Sequence, residues 1–260
     1  MYHPRQRLTA LAYGAVCHLA FALGIAAMMA SLYTGLTLGR GPFTGALGWA
    51  FNLGLLAQFV LVHSFLLHAR GRALLAHLVP AGIGAELRTT SFALIASLQL
   101  LLVFAAWSPS GTVWWEPHGV VRAIASVAYG ASWLFLLKTM ADAGVPLQTG
   151  FLGWSAVARG RAPQYPSFPT RGTFRYTRQP IYLAFALTLW TGPVWTPDHL
   201  FIAVAWTLYC LFGPTLKERR YLQFYGSRFE RYRALVPYWL PAPQRLDTRL
   251  LDPSTASHAD

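Results

Sequence analysis

The chain alternates long apolar segments with short polar ones. Its apolar runs cover roughly residues 8–34, 46–67, 91–107, 120–137, 181–196 and 198–214. An α-helix rises 1.5 Å per residue, so about 20 apolar residues cross a hydrocarbon core of about 30 Å. The pattern therefore predicts an all-α integral membrane protein with about six transmembrane helices. The fifth run is short for a span, even when it is counted from Pro180 to Thr196.

The polar positions between the runs predict the orientation. Of the 21 Lys and Arg residues, 19 fall on one side of such a topology, and only Arg40 and Arg122 fall on the other. Basic loops stay in the cytoplasm, so both termini and the loop 139–179 are expected there. We expect the protein in a bacterial inner membrane, in contact with membrane lipids.

Composition and charge narrow the class further. Hydrophobic residues make up 55% of the chain and charged residues 12%, which excludes an ordinary soluble protein. The net charge of +12 would indicate nucleic acid in a soluble protein, but here the basic residues flank the spans, so no nucleic-acid partner is expected. Cys17 and Cys210 lack the spaced Cys and His neighbours of a metal site, and none is predicted.

The candidate chemistry lies at the cytoplasmic side. We expect one membrane domain over residues 1–242 and a disordered tail over 243–260. The interiors of the runs carry no acidic residue, which disfavours an ion-coupled transporter and leaves His18 and His63 as ionisable groups at depth. His63 lies near the cytoplasmic end of its run. It either meets a bound molecule or satisfies a neighbouring helix.

A polar loop leads directly into the fifth run at Arg175 to Tyr182. Pro180 suits a first helical turn, and such a helix start presents free N–H groups next to Arg175 and Arg178. This arrangement favours a bound carboxylate. The alternative is that the arginines only anchor the membrane interface.

A second candidate follows Gly213-Pro214, where an amphipathic C-terminal helix is predicted. One helical face carries Glu218, Leu222, Tyr225, Phe229, Tyr232 and Val236. A carboxylate on an apolar face needs a partner. Either Glu218 closes a capping box with Thr215, or it is a functional carboxylate.

Together these segments resemble a known superfamily. The pattern Arg-x-x-Arg-x-Pro-x-Tyr, Glu218, Gly226, Tyr232, Val236-Pro237 and Trp239-Leu240-Pro241 is similar to the isoprenylcysteine carboxyl methyltransferase and phospholipid methyltransferase superfamily. Within it the chain most resembles the methanethiol S-methyltransferases. That likeness rests on Tyr13-Gly14, His63-Ser64, Arg88-Thr89-Thr90-Ser91 and Thr196-Pro197-Asp198-His199-Leu200.

The resemblance implies a membrane enzyme that transfers a methyl group from S-adenosylmethionine to a small apolar thiol, as from methanethiol to dimethyl sulfide. It implies Glu218 and His63 as catalytic residues. The implied cofactor-binding residues are Tyr176, Arg178, Gln179, Pro180, Tyr182, Glu218, Tyr225 and Tyr232. One alternative is a lipid-like acceptor, such as a prenylated cysteine or an amine headgroup. Another is a non-catalytic membrane protein that retains the scaffold.

Two departures from the superfamily pattern motivate that last alternative. Gln179 stands where the superfamily usually has His, and Lys217 where it usually has the first of two glutamates. Gln179 still offers a donor and an acceptor but cannot carry a proton. Lys217 lies about 100° from the apolar face, so a molecule that faces Glu218 need not face Lys217.

Overall fold

The computed structural model describes residues 2–241, 247 and 251, and the regular elements within them are helices. These are α1 (Pro4–Tyr33), α2 (Gly45–Leu67), α3 (Ala69–His77), α4 (Arg88–Ala105), α5 (Gly119–Ala143), α6 (Val145–Gln148), α7 (Phe151–Ala158), the 3-10 helix η1 (Gly172–Arg175), α8 (Pro180–Trp190) and α9 (Pro197–Leu235). Among the described residues, α1, α2, α4, α5 and α9 are long and apolar enough to cross a membrane. The predicted all-α membrane fold is confirmed.

The fifth predicted span is the short helix α8. Its 11 residues rise only about 16 Å, about half of a hydrocarbon core. The helix ends at Trp190 because the chain must turn at Gly192. A Cβ there would lie 2.3 Å from the His199 ring and 2.5 Å from the Leu32 carbonyl oxygen, so only glycine allows this approach. α8 is held between α5 and α9.

α9 differs from the prediction at Pro214. No new helix begins there, so the capping box proposed for Thr215 and Glu218 is wrong, and the Thr215 hydroxyl instead donates to the Phe212 carbonyl. A helical proline leaves the carbonyl four residues earlier without its donor. Here that carbonyl belongs to Cys210, and it accepts from the Trp239 indole at 3.4 Å. The C-terminal segment thus compensates for the missing bond.

A second difference lies at Gly226, where φ is 47° and ψ −130°. The prediction of one straight amphipathic face from Glu218 to Val236 is wrong, because the chain folds back at this residue. In a straight helix Glu218 and Arg233 would lie about 22 Å apart. Their side chains lie 3.5 Å apart in the structure. Glycine tolerates this positive φ without the steric cost that a side chain brings.

One end of the bundle is tied together by the α8–α9 hairpin. Thr196 caps α9, since its hydroxyl accepts from His199 N at 2.9 Å and donates to the Gly35 carbonyl. The buried Asp198 carboxylate accepts from the Trp107 indole at 2.9 Å and from Ser110. The motif Thr196 to Leu200 is therefore structural at this end.

At the opposite end of the bundle lie the N-terminus, the loop after α3, α7 and the second half of α9. Arg7 donates to the Ala158 carbonyl, and Gln6 donates to the Ala81 carbonyl. The structure thus separates the loops into the same two groups, one at each end of the bundle, that the positions of Lys and Arg predicted. Which end faces the cytoplasm stays a prediction.

Most of the predicted disordered tail, including residues 243–246 and 252–260, lies outside the described residues. Leu251 is described, and it is buried against Phe168 and Phe229.

Two threonines on α9 give a matched test of its start. Thr196→Ala removes the cap and the bond to Gly35, so we expect the free energy of unfolding to fall by about 1–2 kcal/mol. Thr215→Ala lies inside the helix and should change it by less than about 0.5 kcal/mol. Unfolding in mixed detergent micelles measures both free energies. An equal fall in the two variants would support a capping role for Thr215.

The orientation is testable with single cysteines, because native Cys17 and Cys210 are buried. Gln164 and Thr112 are exposed at opposite ends of the bundle. In intact cells an impermeant maleimide should label Thr112→Cys and not Gln164→Cys, as the excess of basic residues near Gln164 requires. The reverse labelling would invert the assignment.

Candidate functional site

The two segments singled out in the sequence meet at one end of the bundle. The Thr177 hydroxyl donates to the carbonyls of Tyr238 and Trp239, at 3.2 and 2.9 Å. Arg178 N donates to the Pro237 carbonyl at 3.0 Å. The loop before α8 is thereby fixed to the chain that follows α9.

Glu218 lies at the centre of this junction and is 6% exposed. Its Oε1 lies 3.0 Å from Arg178 Nε and accepts from Gln179 Nε2 at 2.8 Å. Its Oε2 lies 3.5 Å from Arg233 Nε. The expected partner of the buried carboxylate is therefore found, and it consists of two guanidinium groups and one amide.

Gln179 connects Glu218 to Lys217. While its amide nitrogen donates to Glu218, its Oε1 accepts from Lys217 Nζ at 2.5 Å. The side chain of Gln179 is 1% exposed and uses both ends of its amide. We call Arg178, Gln179, Lys217, Glu218 and Arg233 the polar cluster. The two residues that depart from the superfamily pattern are direct neighbours in it.

Aromatic side chains pack beside the polar cluster. They comprise Phe168, Tyr221, Tyr225, Phe229 and Tyr232. The Tyr232 hydroxyl donates to the Phe174 carbonyl at 2.8 Å, which attaches α9 to η1. The Tyr238 ring lies under the Arg178 guanidinium at 5.5 Å. Burial and the nearby Glu218 carboxylate raise the pKa of Tyr238, while Arg178 acts in the opposite direction.

Several cavities adjoin the polar cluster, and two of them have the larger volumes. The inner one has a volume of about 530 Å³, within the range of ligand sites, and apolar and aromatic side chains form most of its wall. His63, Tyr182, Tyr225 and Lys217 also line it. The outer one, of about 440 Å³, is lined by Arg178, Thr215, Glu218, Arg219, Leu222, Arg233 and Tyr238. Lys217 lines the inner cavity and Glu218 lines the outer one, and both also line a small space of about 10 Å³.

Most of the predicted site residues are therefore brought together at this end. Tyr176 is the exception, since it is 38% exposed and, unlike Gln179 and Tyr232, lines none of the cavities beside the polar cluster. Pro180 begins α8 at the edge of the polar cluster. His63 lines the inner cavity, where its ring stacks on Phe59 at 5.3 Å and its Nδ1 has no hydrogen-bond partner among the described residues.

Sequence reasoning missed Arg233 and Phe168. Arg233 reaches Glu218 only because the chain folds back at Gly226, and the one signal for that was the glycine itself. Phe168 lies in a loop without periodicity, yet its ring contacts Tyr225 at 4.9 Å and Phe229 at 5.3 Å.

Fold and site define a polytopic helical membrane protein with a polar and aromatic site at one end. The chain is 30% identical over 197 residues to methanethiol S-methyltransferase 1 of Bradyrhizobium diazoefficiens, covering 73% of this chain and 66% of the relative, just under two thirds of its length. It is 27% identical to the methanethiol S-methyltransferase of Crocosphaera subtropica, covering 73% of each chain. It is 26% identical to that of a Pseudomonas species, covering 90% of this chain and 91% of the relative.

No protein-family model matches the chain, and no solved structure matches it significantly. The resemblance stated from the motifs is confirmed, since several relatives named methanethiol S-methyltransferase match 73–90% of the chain at 26–30% identity.

The bridging role of Gln179 gives a prediction. Gln179→Met keeps the shape but removes the bonds that Glu218 and Lys217 make to the amide, so the free energy of unfolding should fall by about 1–3 kcal/mol. Gln179→His keeps one donor and one acceptor as a neutral imidazole and should be close to neutral. Thermal unfolding of the two variants in the same detergent tests this. If the histidine variant is as unstable as the methionine variant, then the shape of the side chain at position 179, and not its hydrogen bonding, determines stability.

Proposed function

We propose that the protein is a membrane-embedded methyltransferase that uses S-adenosylmethionine to methylate a small thiol, of the methanethiol to dimethyl sulfide type. The main support is the apolar inner cavity, which ends at a polar cluster in a chain whose relatives are named methanethiol S-methyltransferase. A small apolar thiol fits such a wall. The Cys210 and Trp206 side chains line the part of the cavity that belongs to the transmembrane bundle.

The donor set fits S-adenosylmethionine. An amino-acid carboxylate pairs well with guanidinium groups, and the outer cavity presents Arg178 and Arg233. Adenine and a sulfonium cation both favour aromatic faces, which Tyr221, Tyr225 and Tyr232 supply. Arg175 Nε and Thr173 Oγ1 are buried without a hydrogen-bond partner among the described residues. They remain available for a polar ligand. Arg178, Gln179, Pro180, Tyr182, Tyr225 and Tyr232 are our candidates for holding the molecule.

In this proposal Glu218 acts mainly as a positioning residue. Its two oxygens are already shared among Arg178, Gln179 and Arg233. It therefore fixes the guanidinium groups that would meet the cofactor, and it adds negative charge near the cofactor's positive groups. His63 is the candidate polar contact for the thiol, since its unpartnered Nδ1 can accept from an S–H group.

When bound, S-adenosylmethionine supplies a methyl group on a sulfonium. Methyl transfer to a thiolate brings opposite charges together, so a water-poor cavity and correct placement favour the reaction. The aromatic side chains around Phe168 pack beside the polar cluster, where Gln179 and Glu218 are buried. The first residues of α8 fix Tyr182 at the cavity wall.

A second candidate acceptor is a larger, lipid-like molecule. A further cavity of about 660 Å³ lies beside the inner one and shares Leu147, Gln148, Tyr165, Phe224 and Tyr225 with it. This extra space would accommodate a prenylated cysteine or an amine headgroup. Direct competition among the three acceptors separates these possibilities.

The test is production of dimethyl sulfide by purified protein with S-adenosylmethionine and methanethiol, measured by gas chromatography beside calorimetric binding of S-adenosylmethionine. Glu218→Ala should lower turnover by at least about 100-fold, because Arg178 and Arg233 lose their fixed positions. Glu116→Ala removes an exposed carboxylate that pairs with Arg122 at the opposite end of the bundle, and it is the matched control. Absence of cofactor binding in the natural protein would favour the non-catalytic scaffold.

A further inference from the structure

Lys217 has an unusual position for a charged side chain. The chain has only two lysines, and the other, Lys138, is 58% exposed and paired with Asp142. Lys217 is partly buried and lines the inner cavity, whose other wall residues are mainly apolar and aromatic. The ammonium group therefore faces the space that we assign to the acceptor.

The contacts of Lys217 stabilise a cation without neutralising it. Its Nζ donates to the amide oxygen of Gln179 and lies over the rings of Tyr182 and Tyr221, at 5.2 and 5.9 Å. No carboxylate forms a salt bridge with it among the described residues. Glu218 is next in sequence, but its oxygens are occupied by Arg178, Gln179 and Arg233.

A cation at the wall of an apolar cavity favours an anionic ligand. Charges removed from water are stabilised chiefly by an opposite charge at close range. A neutral thiol carries no opposite charge, whereas its thiolate carries a full negative charge on sulfur. Because aromatic rings already cover part of the ammonium, a small and weakly hydrated anion matches the remaining surface better than a large one.

We propose that Lys217 binds the acceptor as its thiolate, with the anionic sulfur held against Nζ inside the inner cavity. This rests on the proposed function. On binding, the S–H bond breaks, the proton goes to solvent and the electron pair stays on sulfur. That pair then forms the new S–C bond, while the bond from the methyl carbon to the sulfonium breaks and its electrons return to the leaving sulfur. Lys217 stays protonated throughout.

Other groups surround this position. Glu218 and Arg220 share α9 with Lys217, Arg178 lies before α8, and His63, Tyr182 and Tyr209 line the same cavity from three helices. Glu218 is compensated by its arginines, so the local field at Lys217 remains positive. An opposite charge at such range lowers the pKa of an acid by about 1–3 units, so the bound thiol should ionise about 10- to 1,000-fold more readily than in water.

A second anion could use the same ammonium, namely the carboxylate of the methyl donor. Lys217 lines the inner cavity, whereas Arg178 and Arg233 line the outer one. The space that Lys217 shares with Arg178 has a volume of only about 10 Å³, room for about one water, so it is too small for an amino-acid carboxylate. The experiment must nevertheless separate the two anions. It therefore measures thiol binding without any donor, and donor binding without any thiol.

Calorimetric titration with methanethiol, in two buffers of equal pH and different ionisation enthalpy, counts the protons released on binding. The protein with its natural sequence should release a measurable fraction of a proton per thiol at about pH 8, because a free alkyl thiol stays almost fully protonated there and its pKa should fall by about 1–3 units on binding. Lys138→Met should match it. Lys217→Met and the more polar Lys217→Gln should release at least about 10-fold less and raise KM for the thiol at least about 10-fold. Their affinity for S-adenosylmethionine should be unchanged. Lys217→Arg, which keeps the charge, should restore most of the proton release.

Undiminished proton release in both neutral variants would overturn the proposal. So would a loss of S-adenosylmethionine affinity with the thiol unaffected, because Lys217 would then serve the donor's carboxylate. If the protein takes up thiolate through Lys217 but forms no dimethyl sulfide, the anion site stands and the proposed methyl transfer fails. Two neutral variants allow a result even if one of them does not fold.

Discussion

The buried carboxylate of Glu218 is the interaction on which this end of the molecule depends. It holds Arg178 from the loop before α8, Gln179 at the start of that helix and Arg233 from beyond the fold-back at Gly226. A buried carboxylate without partners would cost several kcal/mol, and so would the Arg178 guanidinium, whose side chain is only 11% exposed, if the carboxylate were removed. The Arg233 side chain is 43% exposed and would lose less. The three segments therefore have to assemble together.

The dependence on joint assembly extends from the polar cluster into the membrane-spanning part of α9. The segment that follows Arg233 carries Trp239, whose indole reaches the Cys210 carbonyl freed by Pro214. The Tyr238 hydroxyl donates to the next carbonyl, that of Leu211. The helix can thus continue through a proline only while the C-terminal segment stays docked. Ion pairing at Glu218 and continuity of α9 reinforce each other, which links the site to the stability of the bundle.

Sequence reasoning reached the spans and most of the site because each depends on local chemistry. Apolar runs identify α1, α2, α4 and α5 within a few residues, and the Thr196 cap follows from the residue types alone. The errors have one origin. Pro214 and Gly226 both look like helix ends, yet the first lies within α9 and the second folds it back, and distant contacts decide which. Arg233 and Lys217 depend on the same long-range geometry.

The structure also explains why the two departures from the superfamily pattern occur together. A residue at position 179 must bridge Glu218 and its neighbour, and glutamine does so with a donor and an acceptor in fixed places. An amide oxygen is a suitable acceptor for an ammonium but not for a second carboxylate, so glutamine at 179 and lysine at 217 are mutually compatible. The polar cluster as described then holds three cations and one carboxylate. Its excess positive charge lies where two cavities meet, and it favours ligands that bring negative charge of their own.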